Sequence, residues 1–116
     1  MPRYMLLLHD RAGEFDDVSE AEMMKIVQAY SDWSKKLGAK GKMLGGEKLT
    51  DEPGRNLSRK DGKTVVTDGP FAEAKEILGG YFMLQADSYD EACKLAEDCP
   101  HATRGSRIEI REVHEF

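Results

Sequence analysis

The first patterned stretch, Arg3 to His9 (RYMLLLH), is a continuous apolar run of strand length, and it predicts a strand covered on both faces. After a polar stretch, Ser19-Glu20-Ala21-Glu22 reads as a capping box. The serine hydroxyl accepts from the amide of Glu22, whose carboxylate reaches back. Met23, Ile26, Val27, Tyr30, Trp33 and Leu37 then recur at three- and four-residue steps, which predicts a helix with one apolar stripe, ended by Gly38. Lys42 to Leu49 predicts a second strand in which Gly45-Gly46 marks a bulge or a close backbone approach. Asn56 to Arg59 and Thr64 to Thr67 flank Lys60-Asp61-Gly62-Lys63 and predict a hairpin turning at Asp-Gly.

From Asp68 to Gly80 the chain opens with Gly-Pro and closes with two glycines, so a structured loop is expected, with a helical turn over Ala72 to Glu76. Tyr81 to Ala86 predicts another strand apolar on both faces. Ser88-Tyr89-Asp90-Glu91 caps a second helix that turns Ala92, Leu95, Ala96 and Cys99 inward and stops at Pro100. Arg107 to Arg111 alternates strictly and predicts a strand with one wet face.

End to end, these elements spell β-α-β, an inserted β-hairpin and loop, then β-α-β. This is the split βαβ pattern of an α+β, ferredoxin-like βαββαβ fold. The first and third core strands belong at its centre and the last at an edge. Two helices cover only one face of such a sheet, so a second copy of the chain is expected on the other, as a homodimer with sheets packed face to face. The competing cover is the inserted hairpin folding back. With the central strands taken as parallel and the last as antiparallel to them, His9 falls near His101 at one end. Asp68, the loop before the third core strand and His114 then fall at the other.

The 116 residues (13.0 kDa, 40% hydrophobic, 34% charged) fit a single domain, 1–116, able to build its core without disulfides or a structural metal. The longest apolar run, Met5 to Leu8, is far below the ~20 residues of a bilayer span. Met1-Pro2-Arg3-Tyr4 shows no signal-peptide pattern, so a cytoplasmic location and no membrane are expected. The net charge of −5 repels phosphate backbones, and no direct nucleic-acid binding is expected; Arg104, Arg107 and Arg111 are interrupted by Glu109. Cys93 and Cys99 match no zinc spacing and read as thiols in a reducing compartment.

The stretch Thr67 to Tyr81 (TDGPFAEAKEILGGY) resembles the signature of the YCII-related family, in the branch named for its Asp-Gly-Pro-Phe motif. Tyr4 to Leu8, Asp87-Ser88 and Ile108 to Arg111 are similar to that branch too. The resemblance implies a dimeric α+β barrel of ferredoxin-like subunits. It names no single function, since some relatives are thought to be enzymes and some accompany sigma factors. In YCII proteins proper the suspected site pairs an aspartate with a histidine on the first helix. The aspartate maps onto Asp68, whereas Glu20 to Leu37 contains no histidine.

Asp68 is accordingly the candidate catalytic acid/base: a carboxylate ending a strand beside Phe71 can be desolvated and its pKa raised. The alternative is an Asx-turn carboxylate bonded to its own loop. Phe71, Glu73, Lys75 and Tyr81 are the candidate substrate-binding residues, with Lys75 orienting an anionic group and Phe71 forming a wall. His9, Asp10 and His101 are a second possible cluster, and His114 with Asp68 a third, none with metal-ligand spacing. No dinucleotide fingerprint, P-loop or nucleophile elbow is present, so no cofactor is expected. Two functions fit: a cofactor-independent isomerase- or lyase-like enzyme with a small-molecule ligand, or a binding or regulatory module beside sigma-factor-dependent transcription.

Overall fold

The computed structural model describes residues 1–69 and 76–115. Nine elements follow in order: β1 (Arg3–Arg11), α1 (Glu20–Ala39), β2 (Met43–Lys48), β3 (Arg55–Lys60), β4 (Lys63–Asp68), β5 (Glu76–Gln85), α2 (Tyr89–Ala96), α3 (Pro100–Thr103) and β6 (Arg107–Glu112). Four strands form one sheet in the order β2-β5-β1-β6, and β3 and β4 form a separate two-stranded sheet. The α+β, ferredoxin-like architecture holds, with the first and third core strands central and the last at an edge.

The strand directions differ from the expectation. β1 pairs antiparallel with both β5 and β6, and β2 pairs antiparallel with β5. The α1 crossover returns the chain to start β2 alongside β1, so β1 and β2 are parallel and β5 fills the slot between them reversed. The start of β5, where Glu76 pairs with Arg11, therefore lies at the same end as His9, Asp10 and His101, not at the opposite one. His114, just beyond β6, is at the far end, where Val113 bonds to Arg3.

Local signals set most boundaries. Ser19 accepts from the Glu22 amide and Ser88 from the Glu91 amide, so the serine half of each capping box forms, while the Glu22 carboxylate reaches back to the Ser19 hydroxyl. Glu91 also takes the Asp87 amide at 2.8 Å. Gly38, however, sits inside the last turn of α1. The helix ends at Gly41 (φ +71°), with Lys42 N–H bonded to Leu37 O and Gly41 N–H to Gly38 O, a Schellman motif needing a left-handed residue. Pro100 does not merely stop α2. It opens α3 at a position where its missing N–H costs nothing. Residues 76–80, expected in a loop, are instead the first half of β5, because Gly79 is the extra residue of a bulge opposite the Leu8–His9 step. The predicted bulge in β2 also forms, between Met43 and Gly45.

α1 and α2 pack on one face of the sheet. Leu6, Leu8 and Leu84 meet Trp33, Leu37, Ala96 and Cys99 in the core, and Phe82 packs edge-on to Trp33 at 5.0 Å. Alternation then places Met5, Leu7, Tyr81 and Met83 on the other face, half-buried within one chain. The hairpin does not fold back over them: β3 and β4 pack extensively only on each other among the described residues. Asp61 (φ +52°) and Gly62 (φ +76°) form its two-residue turn, the geometry that Asp-Gly predicts.

Candidate functional site

A cavity of about 160 Å³ opens between α1 and the helix-covered side of β1, β2 and β5, at the end where β1 finishes. Its apolar wall comes from Leu8, Phe15, Met23, Ile26, Val27 and Phe82, and its polar side from Asp10, Tyr30 and His101. The wall explains why the α1 stripe is buried at Trp33 and Leu37 while Val27, on the same stripe, is exposed. The N-terminal half of the helix faces space rather than core.

Two glycine pairs make the space. A Cβ on Gly46 would lie 2.6 Å from Tyr81 O, and one on Gly80 would lie 2.7 Å from Glu47 O, so β2 and β5 approach without side chains between them. A Cβ on Gly79 would overlap the Asp10 carboxylate itself. The Gly79-Gly80 pair that closes the sequence motif is thus what seats Asp10.

Four polar groups form a directed chain beside the cavity. Arg104 Nη1 donates to Tyr30 Oη at 3.0 Å, Tyr30 Oη lies 2.8 Å from His101 Nδ1, and His101 Nε2 lies 2.8 Å from the His9 carbonyl. A carbonyl only accepts, so the network assigns the hydrogen to Nε2. Nδ1 then accepts from the Tyr30 hydroxyl, whose oxygen accepts from Arg104. His101 is 2% exposed and this chain uses both its nitrogens. Burial pushes the Tyr30 hydroxyl above its ordinary pKa, against the pull of Arg104. Arg104 also pairs with Glu14 and lies 5.0 Å over the Phe15 ring, which pins the β1–α1 loop against the cavity. Burial would raise the Glu14 carboxyl, but the Arg11 amide, Arg104 and Ser106 together take it below the usual range.

Asp10 is the carboxylate of this end. Its side chain is 14% exposed and one oxygen lies 3.8 Å from His101 Nε2. Burial raises its pKa, with His101 working in the opposite direction and Glu14 adding to the rise. A carboxyl raised toward neutrality in an apolar setting suits proton exchange.

The expected cluster of His9, Asp10 and His101 forms only in part. His101 reaches Asp10 and the backbone of His9, but neighbouring residues of a strand point to opposite faces. The His9 ring meets Glu109 at 3.0 Å on the other face of the sheet. Asp68 ends β4 with its side chain 95% exposed, 3.7 Å from Arg55, so the expected desolvation is absent. It borders a surface depression formed with Glu52, Pro53, Gly54 and Gly69. Tyr81 faces the other side of the sheet, opposite Leu7 and Glu47. Phe71, Glu73 and Lys75 lie outside the described residues. Among those described, no three His, Cys, Asp or Glu side chains converge as a metal would require, and no helix is long and apolar enough to cross a membrane.

Sequence reasoning missed Tyr30 and Arg104. Tyr30 read as one more apolar stripe residue, yet a tyrosine buried by a helix needs a partner for its hydroxyl, and that was the available signal.

The YCII-related domain model matches residues 2–116. The chain belongs to the YCII-related family. An uncharacterized protein of Rhizobium meliloti (strain 1021) is 46% identical over 46 residues, 40% of this chain, and the matched stretch spans only 37% of that protein's length. Among solved structures, 5-chloro-2-hydroxyhydroquinone dehydrochlorinase from Burkholderia phenoliruptrix AC1100, in complex with 2,5-dihydroxybenzoquinone, superposes with a TM-score of 0.58. That match covers 98% of this chain and 95% of the enzyme at 16% identity, a likeness of fold.

Proposed function

We propose that this YCII-related protein binds a small, largely apolar, ring-sized molecule in the cavity between α1 and the sheet, and moves a proton on it with Asp10. The observation that carries this reading is a raised, mostly buried carboxyl lining an apolar space of about 160 Å³. An apolar protein cavity of roughly 150 Å³ holds a benzene molecule, so one six-membered ring fits and a nucleotide does not. The fold neighbour is a complex with a hydroxylated six-membered ring compound on the same architecture, which supports the size class.

In this reading the Asp10 carboxylate accepts a proton from a ring hydroxyl or an adjacent C–H and returns it elsewhere on the ring, an isomerase-like step; where the ring carries a leaving group, the electron pair left behind expels it as an anion instead, a lyase-like step. Tyr30 and His101 hold the wall beside Asp10 rather than exchange protons with the ligand, because their polar atoms are committed to each other, to Arg104 and to His9. An anionic ligand is disfavoured at this site: Arg104 is engaged by Glu14, and Lys48 by Asp51 and the Leu49 carbonyl. Asp68 is the competing acid/base, with Tyr81 in the binding wall, and it belongs to a different surface. The chain is further proposed to act as a homodimer through the sheet face carrying Met5, Leu7, Tyr81 and Met83, in the cytoplasm.

Titration with phenol and hydroquinone, both neutral at pH 7, followed by NMR and melting temperature, tests the reading. Shifts at Phe15, Ile26 and Tyr30 are expected. With a turned-over ligand in hand, Asp10→Asn keeps binding and loses turnover. Shifts confined to 52–55 and 68–69, or turnover lost in Asp68→Asn alone, overturn the assignment to Asp10. Binding without turnover by any ring compound favours the ligand-binding module.

A further inference from the structure

Besides the open sheet face, the β3–β4 hairpin is a part of the chain whose sequence invests in packing that the other described residues do not supply. Its pairing places Arg55, Leu57 and Arg59 opposite Asp68, Val66 and Thr64 on one face. Leu57 and Val66 are direct cross-strand neighbours, 70% and 51% exposed. An aliphatic pair flanked by two arginines therefore stands free on that face. A two-stranded hairpin is marginal in water by itself, and needs a further strand or a packing surface to be stably ordered. The turn at Asp61-Gly62 and the β-branched run Thr64-Val65-Val66-Thr67 nonetheless specify it strongly.

Charge indicates what packs there. Residues 55–68 hold four basic and two acidic residues, whereas the remainder of the chain holds thirteen basic and twenty acidic. The hairpin is a basic arm on an acidic body, so its electrostatic complement is the body of another copy. A polyanion would meet the arginines but leave Leu57 and Val66 in water, and the acidic body would repel it.

We infer that the β3–β4 hairpin is an arm that docks on a second copy of this chain, seating Leu57 and Val66 against it with Arg55 and Arg59 at the rim. Rim charges then steer the encounter and make it salt-sensitive, while the aliphatic pair holds it. The inference does not depend on the ligand or on Asp10, and it goes beyond pairing of the sheet faces, which the arm would clasp.

Sedimentation velocity of the full-length protein over a dilution series tests it. Leu57→Asp with Val66→Lys, which leaves the net charge unchanged, is expected to raise the dimer dissociation constant by about tenfold or more. The circular dichroism of the diluted monomer should not change. Hydrogen exchange of the wild-type protein on either side of its dissociation constant gives a second reading that requires no variant: amides of 55–68 slow only in the dimer. An unchanged dissociation constant overturns the inference. So does a wild-type chain that stays monomeric throughout, or an arm protected only when DNA is added.

Discussion

Asp10 and Asp68 both stand at the close of a β-strand, and both are aspartates among glycines, yet the fold treats them oppositely. Asp10 stands one residue before the end of a central strand, lies against Gly79, and sits under a loop pinned by Glu14 and Arg104. Asp68 ends a hairpin strand with its side chain 95% exposed, 3.7 Å from Arg55. An exposed pair of that kind contributes little, about 0–1 kcal/mol. The contrast shows that motif membership and chemical tuning reside in different places here: the signature begins at Asp68, but its closing glycines act on Asp10.

The largest expected effect that separates the two ends is catalytic. Once a turned-over ligand is known, Asp10→Asn should lower kcat by about a hundred-fold or more, the usual range for a lost acid/base, while Asp68→Asn changes it less than about twofold. Next comes stability of the buried relay. His101→Ala leaves the Tyr30 O–H without its acceptor and opens a void, and should cost about 2–4 kcal/mol by urea unfolding. Gly79→Ala probes the seat of Asp10 directly. Its Cβ would overlap the carboxylate, so about 1–3 kcal/mol of destabilisation is expected, together with loss of ligand binding.

A smaller effect follows from the raised Asp10 carboxyl. Between its unfolded value, about 3.9, and its higher folded value, the native chain holds more protons than the unfolded one, so this group's contribution to stability falls as pH rises. Asp10→Asn removes that penalty. Its melting temperature relative to wild type should climb from pH 4 to pH 7, the mark of a residue kept for function against stability. An Asp10→Asn chain that loses ground over that interval would show a paired, stabilising carboxylate instead. The smallest effect belongs to the arm: in dilute monomer, Leu57→Ser should shift unfolding by no more than about 0.5 kcal/mol.

Much of the framework is local and was legible. Ser19 with Glu22 and Ser88 with Glu91 start the helices because a hydroxyl three residues before an amide caps it whatever the tertiary setting. Asp61-Gly62 turns the hairpin because its two positions tolerate positive φ. Alternation at Ile108 and Ile110 identified the edge strand. What failed to show was non-local. Gly79-Gly80 looks like a strand end until β1 and β2 are seen to accept a residue without a side chain. Tyr30 and His101 are 71 residues apart, and no spacing rule joins them.

By itself, the sequence determined most of the helix and strand segments, residues 76–80 and α3 excepted, and which family the motif resembles, since periodicity, capping and turn chemistry act between near neighbours. Only the tertiary structure decided which aspartate is withdrawn from water. That depends on β5 running against β1 and bringing Gly79 to Asp10, with α1 and α3 carrying Tyr30, His101 and Arg104 to the same end. Burial and hydrogen-bond partners, the physical sources of a shifted carboxyl, are properties of that assembled environment and of no single stretch of chain.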